Sequence, residues 1–213
     1  MLRAGVPGGV PEALLALAAP VPPDHIVPQL AGICRLAVDV LRARDARLVL
    51  EADSDWRDLL PADGPAHRPS HQMEDASPDG VAASDQAGGR IWVDRDGRLE
   101  WSWEEVPVVE RALRGGEVVI DTRRGGGRDA PWPVAAETVA VAPLRLQGSP
   151  LGALVVGFEE PDRPTAEGRD GLAALVPHAA EALRTARLLL SAEGRAQRAE
   201  RLAQTLAEVG AQT

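Results

Sequence analysis

The chain contains no lysine, no asparagine and no tyrosine, so all 23 of its basic Lys/Arg positions are arginine. The codons of the three missing residues are AT-rich, and their joint absence fits a GC-rich bacterial genome. A single cysteine, Cys34, excludes an internal disulfide framework and any cysteine-pair metal site. It agrees with a reducing cytoplasm. No apolar run approaches the ~20 residues that a membrane-spanning helix needs. The G-x-S-x-G elbow, the P-loop and the H-E-x-x-H pair are all missing, which removes the commonest nucleophilic, phosphate-binding and metallopeptidase readings. A net charge of −9 argues against a general binder of nucleic acid or anionic membrane. The first 21 residues are apolar enough to suggest a signal peptide, but Glu12 and three prolines oppose it.

What is present is a foldable chain. Its length of 213 residues allows one large or two small domains, and 45% hydrophobic residues can build a real core. Residues 1–10 are rich in Gly and Pro, and Pro11 to Ala19 can form a short helix before the prolines at 20–23. From His25 to Arg44, a helix places Ile26, Leu30, Ile33, Ala37, Val40 and Leu41 on one stripe, with Cys34 beside it as a small buried hydrophobe. Ala46 to Ala52 reads as a strand. From Asp53 to Gly89 the pattern dissolves into Pro, Asp, Ser, Gly and Ala, apart from a turn of helix near 55–60, and predicts a long mobile loop.

Arg90 to Trp103 reads as a hairpin turning on Asp96-Gly97. A two-residue turn pairs Trp92 with Trp101 and puts Trp92, Leu99, Trp101 and Trp103 on one face, opposite Ile91, Val93, Glu100 and Ser102. That face is a candidate wall for a planar or apolar ligand, or ordinary core. Pro107 to Arg114 reads as a short helix stopped by Gly115-Gly116, and Glu117 to Asp121 as a strand. The RRGGGR loop holds Arg123, Arg124 and Arg128, candidates for holding an anion. His67 and His71 are the only histidine pair at ligand-like spacing, but Pro65 and Pro69 prevent a helix from aligning them.

Two apolar strands, Thr138 to Leu146 and Leu151 to Phe158, flank the turn Gln147-Gly148-Ser149-Pro150 and lead to a long helix that Pro164-Thr165 opens. Pro177 should bend that helix or delay its regular start. Steps of three and four run through Leu172, Leu175, Ala179, Ala182, Ala186 and Leu189, with Leu183 and Leu190 in a second row and Leu202 and Leu206 resuming the pattern after Glu193-Gly194. The stretch resembles the C-terminal half of a GAF domain, the small sensory module of bacterial signalling proteins. The resembling residues are Val141-Ala142-Pro143-Leu144, Gly148, Leu151-Gly152-Ala153-Leu154, Arg163-Pro164-Thr165 and Ala179 through Leu188.

The resemblance implies an α/β (α+β) fold, a central antiparallel sheet of five or six strands flanked by helices. Residues 1–23 would be a flexible segment with a short helix, 24–190 the domain, and 191–213 a signalling or coiled-coil helix. The family's special chemistries do not carry over. Cyclic-nucleotide members show an Asn-Lys…Phe…Asp-Glu signature, and this chain has neither Asn nor Lys. Bilin-binding members attach pigment through a Cys next to a His, whereas Cys34 precedes Arg35. Members that reduce free methionine sulfoxide use several pocket cysteines, and this chain has one.

The expected function is therefore a non-enzymatic, cytoplasmic sensory or regulatory domain. It would dimerise through Leu172, Leu175, Ala179, Ala182, Leu183, Ala186, Leu189, Leu190, Leu202 and Leu206, and relay ligand binding or partner contact to an output module outside the chain. Outputs in the family include histidine kinases of two-component systems, phosphatases, cyclases and ANTAR antiterminators. The alternatives are a ligand-free dimerisation scaffold and a haem- or metal-binding sensor. The ligand and any cofactor remain unknown, and neither nucleic acid nor membrane is an expected direct partner.

Overall fold

A computed structural model of the chain describes residues 21–51, 56, 89–102, 105–122, 134, 136–159, 164 and 166–211, the side chains of 23, 167, 206 and 208–211 excepted. The expected helix at 11–19, the loop at 53–89 other than Trp56 and Gly89, and the Thr165 cap lie outside those residues.

A 3-10 turn at Pro23–His25 leads into α1, Ile26–Leu41. Strand β1, Asp45–Glu51, follows, then the hairpin β2, Arg90–Asp94, and β3, Leu99–Ser102. Helix α2, Pro107–Gly115, precedes β4, Val119–Thr122. The long hairpin β5, Thr138–Leu146, and β6, Ser149–Phe158, precedes α3, Ala166–Ala211. The six strands form one sheet in the order β3-β2-β1-β6-β5-β4, antiparallel at every pairing. The expected fold class holds at the upper strand number.

Strand period two divides the sheet into two buried faces. On one face Ala46, Leu48, Leu50, Ile91, Val93, Ala140, Ala142, Leu144, Leu154, Val156 and Phe158 meet α1 and α3. The two helices lie side by side there, with Gly171 of α3 against Leu41 of α1. On the other face Val49, Trp92, Val139, Val141, Ala153 and Val155 meet α2 and the segment at Val134 and Ala136. The central hairpin therefore shows no alternation of apolar and polar residues. Leu151–Phe158 is buried throughout, as is Thr138 through Leu144. One position there admits only glycine: Gly152 has φ +152, and a Cβ on it would overlap the Val49 carbonyl oxygen of the neighbouring strand.

Three expectations are corrected. The hairpin register is shifted by one residue, because its loop has three residues, Arg95 to Gly97. The Asp94 and Arg98 backbones pair (3.2 Å), and the Asp94 Oδ1 accepts from the Asp96 and Arg98 amides (2.8 and 2.9 Å). Gly97 takes the left-handed position with φ +80. Ile91 then pairs with Trp101 and Trp92 with Glu100, so Trp92 lies on one face of the sheet while Leu99 and Trp101 lie on the other.

The second correction concerns α3. Leu172, Leu175, Ala179, Ala182, Leu183, Ala186 and Leu190 are buried against the chain's own sheet, and Leu189 packs on the same core. They cannot meet a second copy while the domain is folded. Of the expected dimer residues only Leu202 is exposed, and the Leu206 side chain lies outside the described residues. Third, α3 begins at Ala166 and runs on through Pro177, so the proline does not delay the helix's start. The ring is on the exposed side, as is Ala173, whose carbonyl loses its partner.

Leu183→Ala is expected to cost about 2–5 kcal/mol by opening a cavity between α3 and the sheet. Leu188→Ala, on the exposed side of the same helix, should stay within about 0.5 kcal/mol. Urea denaturation of the two variants checks this.

Candidate functional site

The two faces of the sheet differ in how they are covered. Two long helices close one, whereas the nine-residue α2 and the Val134–Ala136 segment are what the described residues place over the other. Pro107 opens α2, and Gly116 ends it in a left-handed conformation, its amide returning to the Ala112 carbonyl (2.9 Å). Between those ends Val108, Val109, Ala112 and Leu113 point at the sheet. Trp92 and Val49 pair across β1 and β2 beneath the helix.

This apolar floor is edged by charge. Arg90, on the same strand face as Trp92, forms an ion pair with Glu110 of α2, their side chains only 14% and 17% exposed. Arg47 lies on the same face of β1 and reaches Glu100 at 3.5 Å and Asp45 at 3.9 Å. Further out, Arg111 of α2 donates to Asp121 of β4 at 2.7 Å. Three arginines, in four links to carboxylates, therefore surround the contact of α2 with the sheet. Among the described residues, no hydrogen-bond acceptor meets the Nε of Arg90 or of Arg47. Trp92 is only 5% exposed, so this face is a packed apolar floor with charged groups at its rim. Among the described residues it offers no nucleophile.

Of the sequence candidates, the structure places Trp92 in this site and Leu99 and Trp101 on the opposite face. Trp103, Arg123, Arg124, Arg128, His67 and His71 lie outside the described residues. Among the described residues, no group of three or more His, Cys, Asp or Glu side chains could hold a metal ion. The sequence reading missed Arg90, Glu110 and Arg47. The available signal was period two on β2, which puts Arg90 beside buried Trp92, together with Glu110 next to Val109 on the sheet-facing side of α2.

Cys34 is remote from this face. Its Sγ is directed to the Val93 carbonyl at 3.5 Å beneath α1, and burial, the largest effect, pushes its thiol up from 9.0 to about 12. A thiol in that state is a packing group and not a nucleophile.

No family model matches the chain, and no curated protein matches it. Among solved structures, the GAF domain of an Acinetobacter phosphoenolpyruvate-protein phosphotransferase superposes with TM-score 0.51 at 13% identity, covering 84% of this chain and 93% of that one. The GAF domain of a phosphoenolpyruvate-protein phosphotransferase from Coxiella burnetii gives 0.50 at 16% identity, covering 84% and 95%. Free methionine-R-sulfoxide reductase from Neisseria meningitidis, solved in complex with its substrate, gives 0.50 at 12% identity, covering 88% and 98%. These likenesses define a class of architecture, an antiparallel α+β domain with terminal helices on one face and a short helix on the other. The fold of this chain is GAF-like.

Two outcomes are expected. Glu110→Ala leaves the Arg90 charge uncompensated under α2 and should destabilise the domain by about 3–5 kcal/mol, whereas the double change Arg90→Met with Glu110→Leu should recover much of that loss. Chemical denaturation of the three proteins checks it. The second concerns alkaline pH. A thiol held at a raised pKa gives stability that is complete below pH 9.0 and is lost as pH rises toward about 12. Because the chain has no Lys or Tyr, few other groups titrate in that window. Unfolding free energy of the wild type should therefore fall by about 1.4 kcal/mol per pH unit above pH 9, and Cys34→Ala should flatten the slope.

Proposed function

We propose that this chain is a non-enzymatic GAF-type sensory or regulatory domain, cytoplasmic and dimeric. It relays small-ligand binding or partner contact to an output module. The observation that carries the reading is the double use of α3. Up to Leu190 the helix is part of the core, and from Ser191 it continues as the same helix with its described side chains exposed or partly exposed. A change in how the sheet packs therefore displaces a lever that extends past the domain. The face under α2, with Trp92 as floor and the Arg90–Glu110 pair at its rim, is the place for a ligand to cause that change. Catalysis of the thiol kind is set aside, because the chain's one cysteine is buried on the opposite face.

A ligand-free dimerisation scaffold is the second reading, favoured by the buried side chains that already fill the space between α2 and the sheet. Native mass spectrometry of the protein purified from a bacterial host separates the two. A dimer carrying a small adduct, with a melting temperature that falls once the adduct is removed, is the expected result. A dimer free of adduct, whose stability does not respond to small-molecule extracts of the host, would favour the scaffold.

A further inference from the structure

Arg90 has a choice of two carboxylates and is paired with the one on the more distant element. Helix α2 lies over β4, β5 and β6, whereas Arg90 stands on β2, with β1 in between. Directly opposite Arg90 on β1 is Glu51, its register partner on the same face of the sheet. Side chains so placed have Cβ atoms roughly 5 Å apart, close enough for an arginine–carboxylate pair. Arg90 nevertheless passes Glu51 and pairs with Glu110 of α2, where both side chains are largely buried. Glu51 is exposed, and among the described residues it forms no ion pair. The Arg90 Nε has no acceptor among those residues either.

This pair can open without stranding either charge. Breaking a buried ion pair is costly when one member stays in place with no compensation. Here Arg90 can turn to Glu51, for which no other described cation competes. Glu110 lies in the first turn of α2, where the positive end of the helix dipole favours a carboxylate. Once the pair has opened, α2 is held by Val108, Val109, Ala112 and Leu113 and by the more exposed link from Arg111 to Asp121 of β4. Exchange of partners at Arg90 therefore loosens α2 on its β2 side and leaves it tied to β4.

We propose that Arg90 is a two-position arm, which clamps α2 when paired with Glu110 and releases it when paired with Glu51. The exchange belongs to the protein alone and needs no ligand, so it goes beyond the sensory reading and stands or falls separately from it. Hydrogen exchange of the α2 amides, followed by mass spectrometry on the full chain with α1 as the reference for global unfolding, tests it. Glu51→Gln removes the partner of the released state, so α2 exchange should slow by about two- to fivefold, the factor an exposed ion pair is worth. Glu110→Gln should speed it about tenfold or more. In that background Glu51 is the partner left to Arg90 beneath the docked helix, and adding Glu51→Gln should speed exchange further, because the drier pair is the stronger one. Glu51 thus acts with opposite sign in the two backgrounds. In Arg90→Met, Glu51→Gln should change nothing. An α2 exchange rate that Glu51→Gln leaves unmoved or raises in the wild type overturns the arm, as does a slowing that persists without Arg90. The Glu51 side chain is exposed, so its single variant decides the matter even if Glu110→Gln fails to fold.

Discussion

The hairpin β5–β6 is buried on both faces, and the rest of the fold follows from that requirement. An antiparallel sheet more often exposes one side to water, but here the two central strands present apolar residues at consecutive positions. Each face must be covered. The chain covers one with α1 and α3, which carry their own apolar stripes, and the other with α2 and the segment around Val134. Glycines allow the closest approaches: Gly152 where β6 meets the Val49 carbonyl, Gly157 beneath Val134 and Ala136. The edge strands β3 and β4, four residues each and only partly buried, need less cover and receive less.

Among the described residues, the two faces are covered unequally. The α1/α3 face is closed by continuous apolar packing and has little capacity to change without unfolding the domain. The α2 face relies on a nine-residue helix held at its margins by arginine–carboxylate pairs. Pairs of this kind exchange partners more readily than leucines leave a core, because a ligand carboxylate or amine can satisfy the same groups. The two faces share one sheet, and α3 rests on the same central strands that α2 covers from the other side.

Much of this order was legible in the sequence. The β5–β6 hairpin, the short α2 and the apolar stripes of α1 and α3 are strong local signals, because continuous Val/Ala/Leu runs and three-four spacing reflect burial directly. The hairpin register at Asp96-Gly97 was misread. The dipeptide favours a two-residue turn, but the Asp94 carboxylate captures two amides and extends the loop to three residues. A slip of one residue moved Trp92 to the face opposite Trp101, which removed the expected tryptophan surface. Arg90 and Glu110 were overlooked because they are far apart in sequence and their pairing exists only once α2 docks on β2.

The sequence by itself determined most of the described elements and their approximate ends, since each depends on residues within one turn or one strand of each other, and its resemblance to GAF domains implied the fold class. Only the tertiary structure decided what each apolar row touches. The Leu172–Leu190 stripe of α3 and the Leu202 that resumes its spacing look alike in sequence, yet the stripe is closed by the sheet and Leu202 is exposed. Periodicity records that a face is apolar and says nothing of the surface that covers it, because hydrophobic burial has no direction of its own.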